Sequence, residues 1–171
     1  MRKKEYLILP ALIVLLFIQF IPFQMTKTLG QRVVLNIELY DPRDVFRGDY
    51  VALNFTQERV SLEAFPMDEE DISDLYNKKI YALLEEDKDD GDWKVKSIQV
   101  KKPQEGLYIK CRLNYYNPNS NEGELDFGID RYYVQTNTGG PIEDAARQGD
   151  LLAEVKIWNG QLVMTDIIFD K

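Results

Sequence analysis

Histidine is absent from this chain of 171 residues, and cysteine occurs only once, as Cys111. The missing histidine removes the commonest general base and the commonest zinc ligand, so a Ser-His-Asp or Cys-His catalytic site is excluded. A lone cysteine also excludes an internal disulfide. Because Cys111 lies in an alternating apolar segment, we predict a buried and unreactive thiol.

Basic residues are in the minority, since 21 lysines and arginines stand against 29 acids and give a formal net charge of −8. A domain this acidic is repelled as a whole by phosphate backbones and by anionic lipid surfaces, so no nucleic-acid partner is expected. The apolar content of 44% is enough for a packed core, which excludes a disordered chain.

The N-terminus contains a long apolar run from Leu7 to Phe23, interrupted by Gln19. As a helix, residues 6–25 would rise about 30 Å, which matches the hydrocarbon thickness of a bilayer. We therefore predict that residues 1–25 form a cytoplasmic basic tip and a transmembrane signal-anchor, with the lipid bilayer as the partner of residues 6–25.

The orientation follows from three basic residues, Arg2, Lys3 and Lys4, because the positive-inside rule keeps such residues in the cytoplasm. The predicted location is the cell membrane, single-pass, with residues 26–171 as an extracytoplasmic domain. A cleaved signal peptide is the alternative, although its apolar region is normally shorter than this one. Either interpretation exports the domain.

Beyond residue 30, short alternating apolar segments are separated by turn-forming residues, which is typical of antiparallel strands. Asn159-Gly160 predicts a two-residue hairpin. Residues 139–149 favour a short helix, and residues 66–78 fit a helix or a loop. The predicted fold is mainly β: a transmembrane helix, then an antiparallel β sandwich or partly open barrel with one short helix. The apolar faces predicted to line its core are Leu35, Ile37 and Leu39; Val51, Leu53 and Phe55; Ile80, Ala82 and Leu84; Leu107, Ile109, Cys111, Leu113 and Tyr115; and Leu125, Phe127 and Ile129.

The segment DPRDVFRGD, residues 41–49, concentrates charge in one turn before an apolar strand. Asp41 and Asp44 can accept hydrogen bonds from backbone N–H groups of the turn, and an arginine of the same segment can bridge the two carboxylates. We interpret the segment as a braced corner, and we predict that Asp49→Ala mainly lowers stability. An interaction surface at the rim of a barrel is the other interpretation.

A second charged cluster, Asp130-Arg131-Tyr132-Tyr133, precedes a glycine-rich loop. Arginine and tyrosine side by side are good interface anchors, and they serve equally well as packing at the end of a strand.

The acidic segments do not match a calcium loop. An EF-hand counted from Asp87 needs glycine at position 6 and glutamate at position 12, but the glycine falls at position 5 and Ile98 falls at position 12. We therefore predict a hairpin tip, and we expect no metal, no cofactor and no catalytic residue. A looser site with Asp41, Asp44 or Asp49 as oxygen ligands stays open.

Several stretches resemble the bacterial GDYXXLXY protein family. GDYVALNF (48–55) resembles the motif that names the family, and YDPRDVFR (40–47), FGIDRYYV (127–134) and LLAEVKI (151–157) resemble other parts of it. Phe55 replaces the final tyrosine of the motif, so a phenol there cannot be required for chemistry. The positions that match by resemblance are Asp41, Pro42, Arg43, Asp44, Arg47, Gly48, Asp49, Tyr50, Leu53, Gly128, Arg131, Tyr132, Glu143 and Glu154.

The resemblance implies a small membrane-anchored protein that accompanies a polytopic membrane protein and has no established activity. We therefore predict a non-enzymatic accessory or interaction subunit of a membrane or envelope assembly. An envelope hydrolase that uses carboxylates such as Asp44 and Asp49 is one alternative, and a small-ligand or glycan carrier with a deep apolar pocket is another. The predicted motif and interaction residues are Asp41, Arg43, Asp44, Arg47, Gly48, Asp49, Tyr50, Asp130, Arg131, Tyr132 and Glu143.

Overall fold

A long apolar helix opens the chain. The computed structural model describes residues 5–38, 50–87, 91–129, 131–133 and 151–169. The helix, α1, spans Glu5–Leu29, and the mean hydropathy over Ile8–Leu29 is 2.2. Its side chains from Ile8 to Phe23 are exposed rather than packed on the rest of the chain. The helix is therefore long and apolar enough to cross a membrane, and a signal sequence near an N-terminus has the same properties.

The last turn of α1 packs on the β domain without a linker. Gly30 is the one residue between α1 and β1 (Gln31–Glu38), and its N–H donates to the carbonyl of Thr26 at 3.0 Å. Thr26 is fully buried, and Nζ of Lys156 donates to the carbonyl of Lys27 at 2.6 Å. A Cβ atom at Gly30 would lie 2.3 Å from the carbonyl oxygen of Thr26, so this joint needs glycine.

The strands after β1 form two antiparallel sheets and a separate ribbon. They are β2 (Tyr50–Ala52), β3 (Asn54–Phe55), β4 (Arg59–Ser61), β5 (Lys79–Glu86), β6 (Trp93–Gln99), β7 (Leu107–Asn117), β8 (Glu122–Asp126), β9 (Arg131–Tyr133), β10 (Leu151–Trp158) and β11 (Gln161–Phe169). One sheet has the order β11-β10-β1-β3, the other has the order β4-β8-β7-β5-β6, and β2 pairs with β9. All pairings between these strands are antiparallel, which confirms the predicted mainly β fold.

Short helical segments connect some of the strands. A single 3₁₀ turn, Thr56–Glu58, follows β3, and another, Leu62–Ala64, follows β4. The ambiguous segment 66–78 contains a five-residue helix, α2 (Glu69–Ser73), followed by turns. The helix predicted at 139–149 lies outside the described residues.

Alternate side chains of both sheets contribute to one hydrophobic core, as the period-two pattern of a half-buried strand predicts. Leu107 and Ile129 are partly buried against this core. Leu39 and the side chain of Val51 lie outside what the structure describes. The predicted core residues that are buried are Leu35, Ile37, Leu53, Phe55, Ile80, Ala82, Leu84, Ile109, Cys111, Leu113, Leu125 and Phe127.

Tyr115 was predicted in the core, but 52% of its surface is exposed. The pairing of β7 with β8 shifts between Leu113 and Tyr115, so that two steps along β7 correspond to one step along β8. Such a bulge inserts one extra residue, and the side chains beyond it change face.

The predicted hairpin at Asn159-Gly160 is confirmed. Both residues have positive φ, 50° and 75° respectively, as a type I′ turn requires. The hairpin joins β10 to β11. Because Gln31 at the start of β1 lies opposite Ile157, the hairpin is at the end of the sheet where α1 joins it.

Candidate functional site

The two charged segments identified in the sequence meet in one element, the ribbon formed by β2 and β9: residues 41–49 precede β2 in the chain, and residues 130–133 include β9. Its antiparallel register places Tyr50, the first residue of β2, opposite Tyr133, the last residue of β9. The chain therefore enters from residues 40–49 and leaves towards residues 134–150 at the same end of the ribbon. In the described part of the chain, β2 and β9 pair with each other and with no other strand.

Most of the predicted motif and interaction residues fall outside the described residues. For Tyr50, Arg131 and Tyr132, the structure gives the backbone, which belongs to the ribbon. The site therefore stays a prediction. The predicted site residues that the structure does not describe are Asp41, Arg43, Asp44, Arg47, Gly48, Asp49, Asp130 and Glu143.

The family motif is divided between the ribbon and the core. Tyr50 begins the ribbon, whereas Leu53 and Phe55 are 3% and 1% exposed and belong to the core. The ring of Phe55 lies 5.9 Å from the ring of Phe127, measured between centroids. The apolar end of the motif therefore has a structural role, and its polar beginning adjoins the ribbon.

Two further positions that match the family have clear structural roles. Gly128 has a φ of 78°, and its N–H donates to Oδ1 of Asp126 at 2.7 Å. Glu154 forms an ion pair with Arg32, which lowers the pKa of that carboxyl, and it accepts a hydrogen bond from the Thr165 hydroxyl at 3.1 Å. These contacts stabilise a turn and a bulged strand.

Glu58, which the sequence reasoning missed, connects the two family segments. Its Oε2 accepts from the backbone N–H of Phe55 at 3.1 Å, and its Oε1 accepts from the backbone N–H of Phe127 at 2.9 Å. Phe55 ends the segment 48–55 and Phe127 begins the segment 127–134. The one sequence signal is the spacing of three residues from Phe55, at which a glutamate can accept from the N–H at the start of a helical turn.

Burial dominates the electrostatics of Glu58. Burial raises the pKa of this carboxyl from 4.5 to about 7, against the two backbone N–H bonds, which lower it. The negative charges of Asp126 and Glu124 contribute smaller parts of this rise in pKa. Glu58 is therefore half-protonated near neutral pH, with both carboxyl oxygens held by the backbone.

An open cavity of about 410 Å³ lies beside Glu58. Its chemistry is acidic, because Glu58, Glu124 and Asp126 all line it. Within the ranges that the structure describes, no three acidic, cysteine or histidine side chains are arranged to hold a metal ion. The lining residues are Leu53, Asn54, Glu58, Asn114, Glu124, Leu125, Asp126, Gly128 and Ile129.

A second open groove, of about 530 Å³, lies between β6 and the segment that follows β3. Trp93 is one wall, and Nε2 of the buried Gln57 donates to the carbonyl of Trp93 at 3.0 Å. Asn36, Arg59 and other polar or charged residues line the remainder. Both cavities are open and largely polar, unlike the deep apolar pocket that the carrier alternative requires.

Among the comparisons with known proteins, a match to a protein-family model agrees with the sequence motifs. No curated protein and no solved structure matches the chain. The family model described as GDYXXLXY protein matches residues 12–167, from within α1 to β11. Because this match covers the described β domain and most of the apolar helix, the chain belongs to the GDYXXLXY protein family.

Proposed function

We propose that the chain is a membrane-anchored accessory protein whose β domain docks a polytopic membrane protein. In this proposal α1 stays in the bilayer and the β domain lies outside the cytoplasm. The docking surface is the β2–β9 ribbon with residues 40–49, 130 and 134–150. The observation that carries the proposal is the register of the ribbon, which connects residues 40–49 and residues 134–150 to the same end of one element.

The attachment of α1 to the β domain supports an anchor that is kept rather than cleaved. Thr26 is fully buried, and the carbonyl of Lys27 accepts from Lys156. Cleavage near Gly30 would remove Thr26 from its buried position and leave Lys156 without this acceptor. A signal peptide has no need for such contacts, because it leaves the mature protein.

The basic residues before α1 support the orientation. Arg2, Lys3 and Lys4 precede the apolar segment, and the positive-inside rule keeps them in the cytoplasm. With one span, everything after α1 is then outside the cytoplasm.

The short connection between α1 and β1 supports a partner in the same membrane. Gly30 alone separates the helix from the first strand, so the β domain is held at the bilayer surface. A partner embedded in the same membrane can meet the domain at this surface. The short connection also lowers the entropic cost of docking to such a partner, because the anchor already confines the β domain to the surface of the membrane in which the partner lies.

The geometry of Glu58 does not suit a general base. Its pKa of about 7 suits acid–base chemistry, but both of its oxygens accept backbone N–H bonds. A general base has to reach a substrate proton with one of these oxygens.

Site-specific photo-crosslinking in cells tests the docking proposal. A photo-reactive phenylalanine analogue replaces Tyr132 in the ribbon or, as the matched control, Tyr76, an exposed tyrosine beyond α2. We expect a discrete adduct with an integral membrane protein from position 132 and none from position 76. Free monomer alone at both positions, or the same adducts from both, would contradict the docking role.

A further inference from the structure

Lysines from the loop after β6 and from β7 surround the hairpin between β10 and β11. Nζ of Lys102 donates to Oδ1 of Asn159 at 2.7 Å, and the backbone N–H of Lys110 donates to the carbonyl of Gly160 at 2.8 Å. The side chain of Lys110 also packs closely on Gly160, where a Cβ atom would meet its Cγ at 2.9 Å. Lys101 precedes Lys102 and is exposed.

The position of this hairpin relative to α1 is fixed by independent contacts. Lys156 in β10, three residues before Asn159, donates to the carbonyl of Lys27 in the last turn of α1. A Cβ atom at Gly30 would lie 3.0 Å from Cβ of Lys156. Lys101, Lys102 and Lys110, here called the hairpin lysines, are therefore close to the point where α1 leaves the bilayer.

The charge at this end of the domain is opposite to that of the whole chain. Residues 24–32, 100–110 and 155–165 contain six basic residues and one acid, Glu105, although acids outnumber basic residues 29 to 21 overall. Arg32 pairs with Glu154. Among the described residues, the hairpin lysines form no ion pair with a carboxylate.

Apolar residues accompany the lysines. Leu29 at the end of α1 is 62% exposed, and Val100, just before Lys101, is 51% exposed. Trp158 is half-buried in the hairpin, and tryptophan is enriched where a protein meets the membrane interface. This mixture of lysine, tryptophan and exposed aliphatic residues matches the interfacial region of a bilayer.

We infer that the hairpin lysines bind the anionic headgroups of phospholipids in the leaflet where α1 ends. The inference rests on the proposed membrane anchor. The contact opposes the general repulsion between this acidic domain and an anionic surface, and it holds the hairpin end of the domain against the membrane. The acidic remainder of the domain, including the cavity beside Glu58, is then directed away from the lipid.

Headgroup quenching in vesicles tests the inference with the full-length chain. Gln104→Cys places a fluorophore in the exposed loop that carries Lys101 and Lys102, while the native thiol is buried. The protein is reconstituted in phosphatidylcholine vesicles that contain a spin-labelled headgroup, with or without phosphatidylglycerol. We expect phosphatidylglycerol to increase quenching, and high salt to reverse the increase.

The double variant Lys101→Gln/Lys102→Gln is compared with Lys94→Gln/Lys96→Gln, which removes the same charge from β6. Each lysine near an anionic surface strengthens the attraction roughly fivefold, so the first variant should weaken the lipid-dependent contact by roughly 25-fold and the control should not. Equal quenching in both lipids, or equal behaviour of the two variants, overturns the inference. Failure of the anchor itself is distinguishable, because the protein would then not float with either vesicle.

Discussion

The carboxylate of Glu58 accepts the backbone N–H of Phe127 at 2.9 Å, a contact between residues 69 positions apart in the sequence. Its other oxygen accepts the N–H of Phe55, whose ring packs against that of Phe127. One half-buried side chain thus connects the strand that ends the family motif to the segment that leads into the ribbon. Any change at Glu58 should affect both segments together.

Glu58 should make stability depend on pH between about 4.5 and 7. The pKa of its carboxyl is about 7 in the folded chain, against the ordinary value of 4.5 that applies to the unfolded chain. Between these two pH values the folded chain therefore keeps a proton that the unfolded chain has released. The contribution of Glu58 is therefore most favourable below about pH 4.5 and is lost as pH rises to about 7. After a discount for partial exposure, we expect about 2 kcal/mol for the whole window.

The measurement is urea unfolding of the detergent-solubilised chain at about pH 5 and about pH 8. Glu58→Gln should reduce the stability difference between the two pH values, whereas Glu63→Gln, an exposed glutamate, should keep it. An unchanged difference in Glu58→Gln would show that another group causes the pH dependence.

Gly30→Ala should disrupt the joint between α1 and β1. The new Cβ would lie 2.3 Å from the backbone oxygen of Thr26, and no side-chain rotation can relieve that clash. We expect a loss of about 2 kcal/mol or more, with faster proteolysis around residues 26–30. Gly123→Ala is the matched control, because its Cβ would meet the nearest side chains at 3.4 Å. Equal protease resistance of the two variants would mean that the joint tolerates a side chain.

Cys111 should be unreactive in the folded chain. It is 4% exposed, and burial raises the pKa of its thiol to about 12, so the reactive thiolate is scarce at neutral pH. Ellman's reagent should leave the native protein unmodified and modify one thiol after unfolding. The variant Ser120→Cys, with an added thiol at an exposed turn, should react at once when native. Rapid reaction of the native wild type would refute this burial.

The core of this fold is predictable from sequence, because a half-buried strand repeats its environment every second residue. Ile80, Ala82 and Leu84 follow that rule and are buried as predicted. Tyr115 breaks it, since the bulge after Leu113 depends on how β7 and β8 align rather than on any residue pattern within β7.

The candidate site is less predictable, because its parts meet only through the fold. Nothing near Glu58 in sequence indicates that Phe127 will supply its second N–H. The pairing of β2 with β9 and the lysines around the hairpin are likewise contacts between distant segments. The sequence does reveal the charged segments themselves, through their composition and their resemblance to the family.

The most direct test of the anchored and exported topology, on which the proposed function depends, is thiol accessibility in intact cells whose outer envelope admits a membrane-impermeant maleimide. The test compares Ser120→Cys, in the turn between β7 and β8, with Glu5→Cys, at the start of α1. An anchored and exported domain predicts labelling of Ser120→Cys in intact cells and of Glu5→Cys only after lysis, with α1 still part of the labelled chain. Protection of Ser120→Cys until lysis, or loss of α1 from the mature protein, would contradict the account.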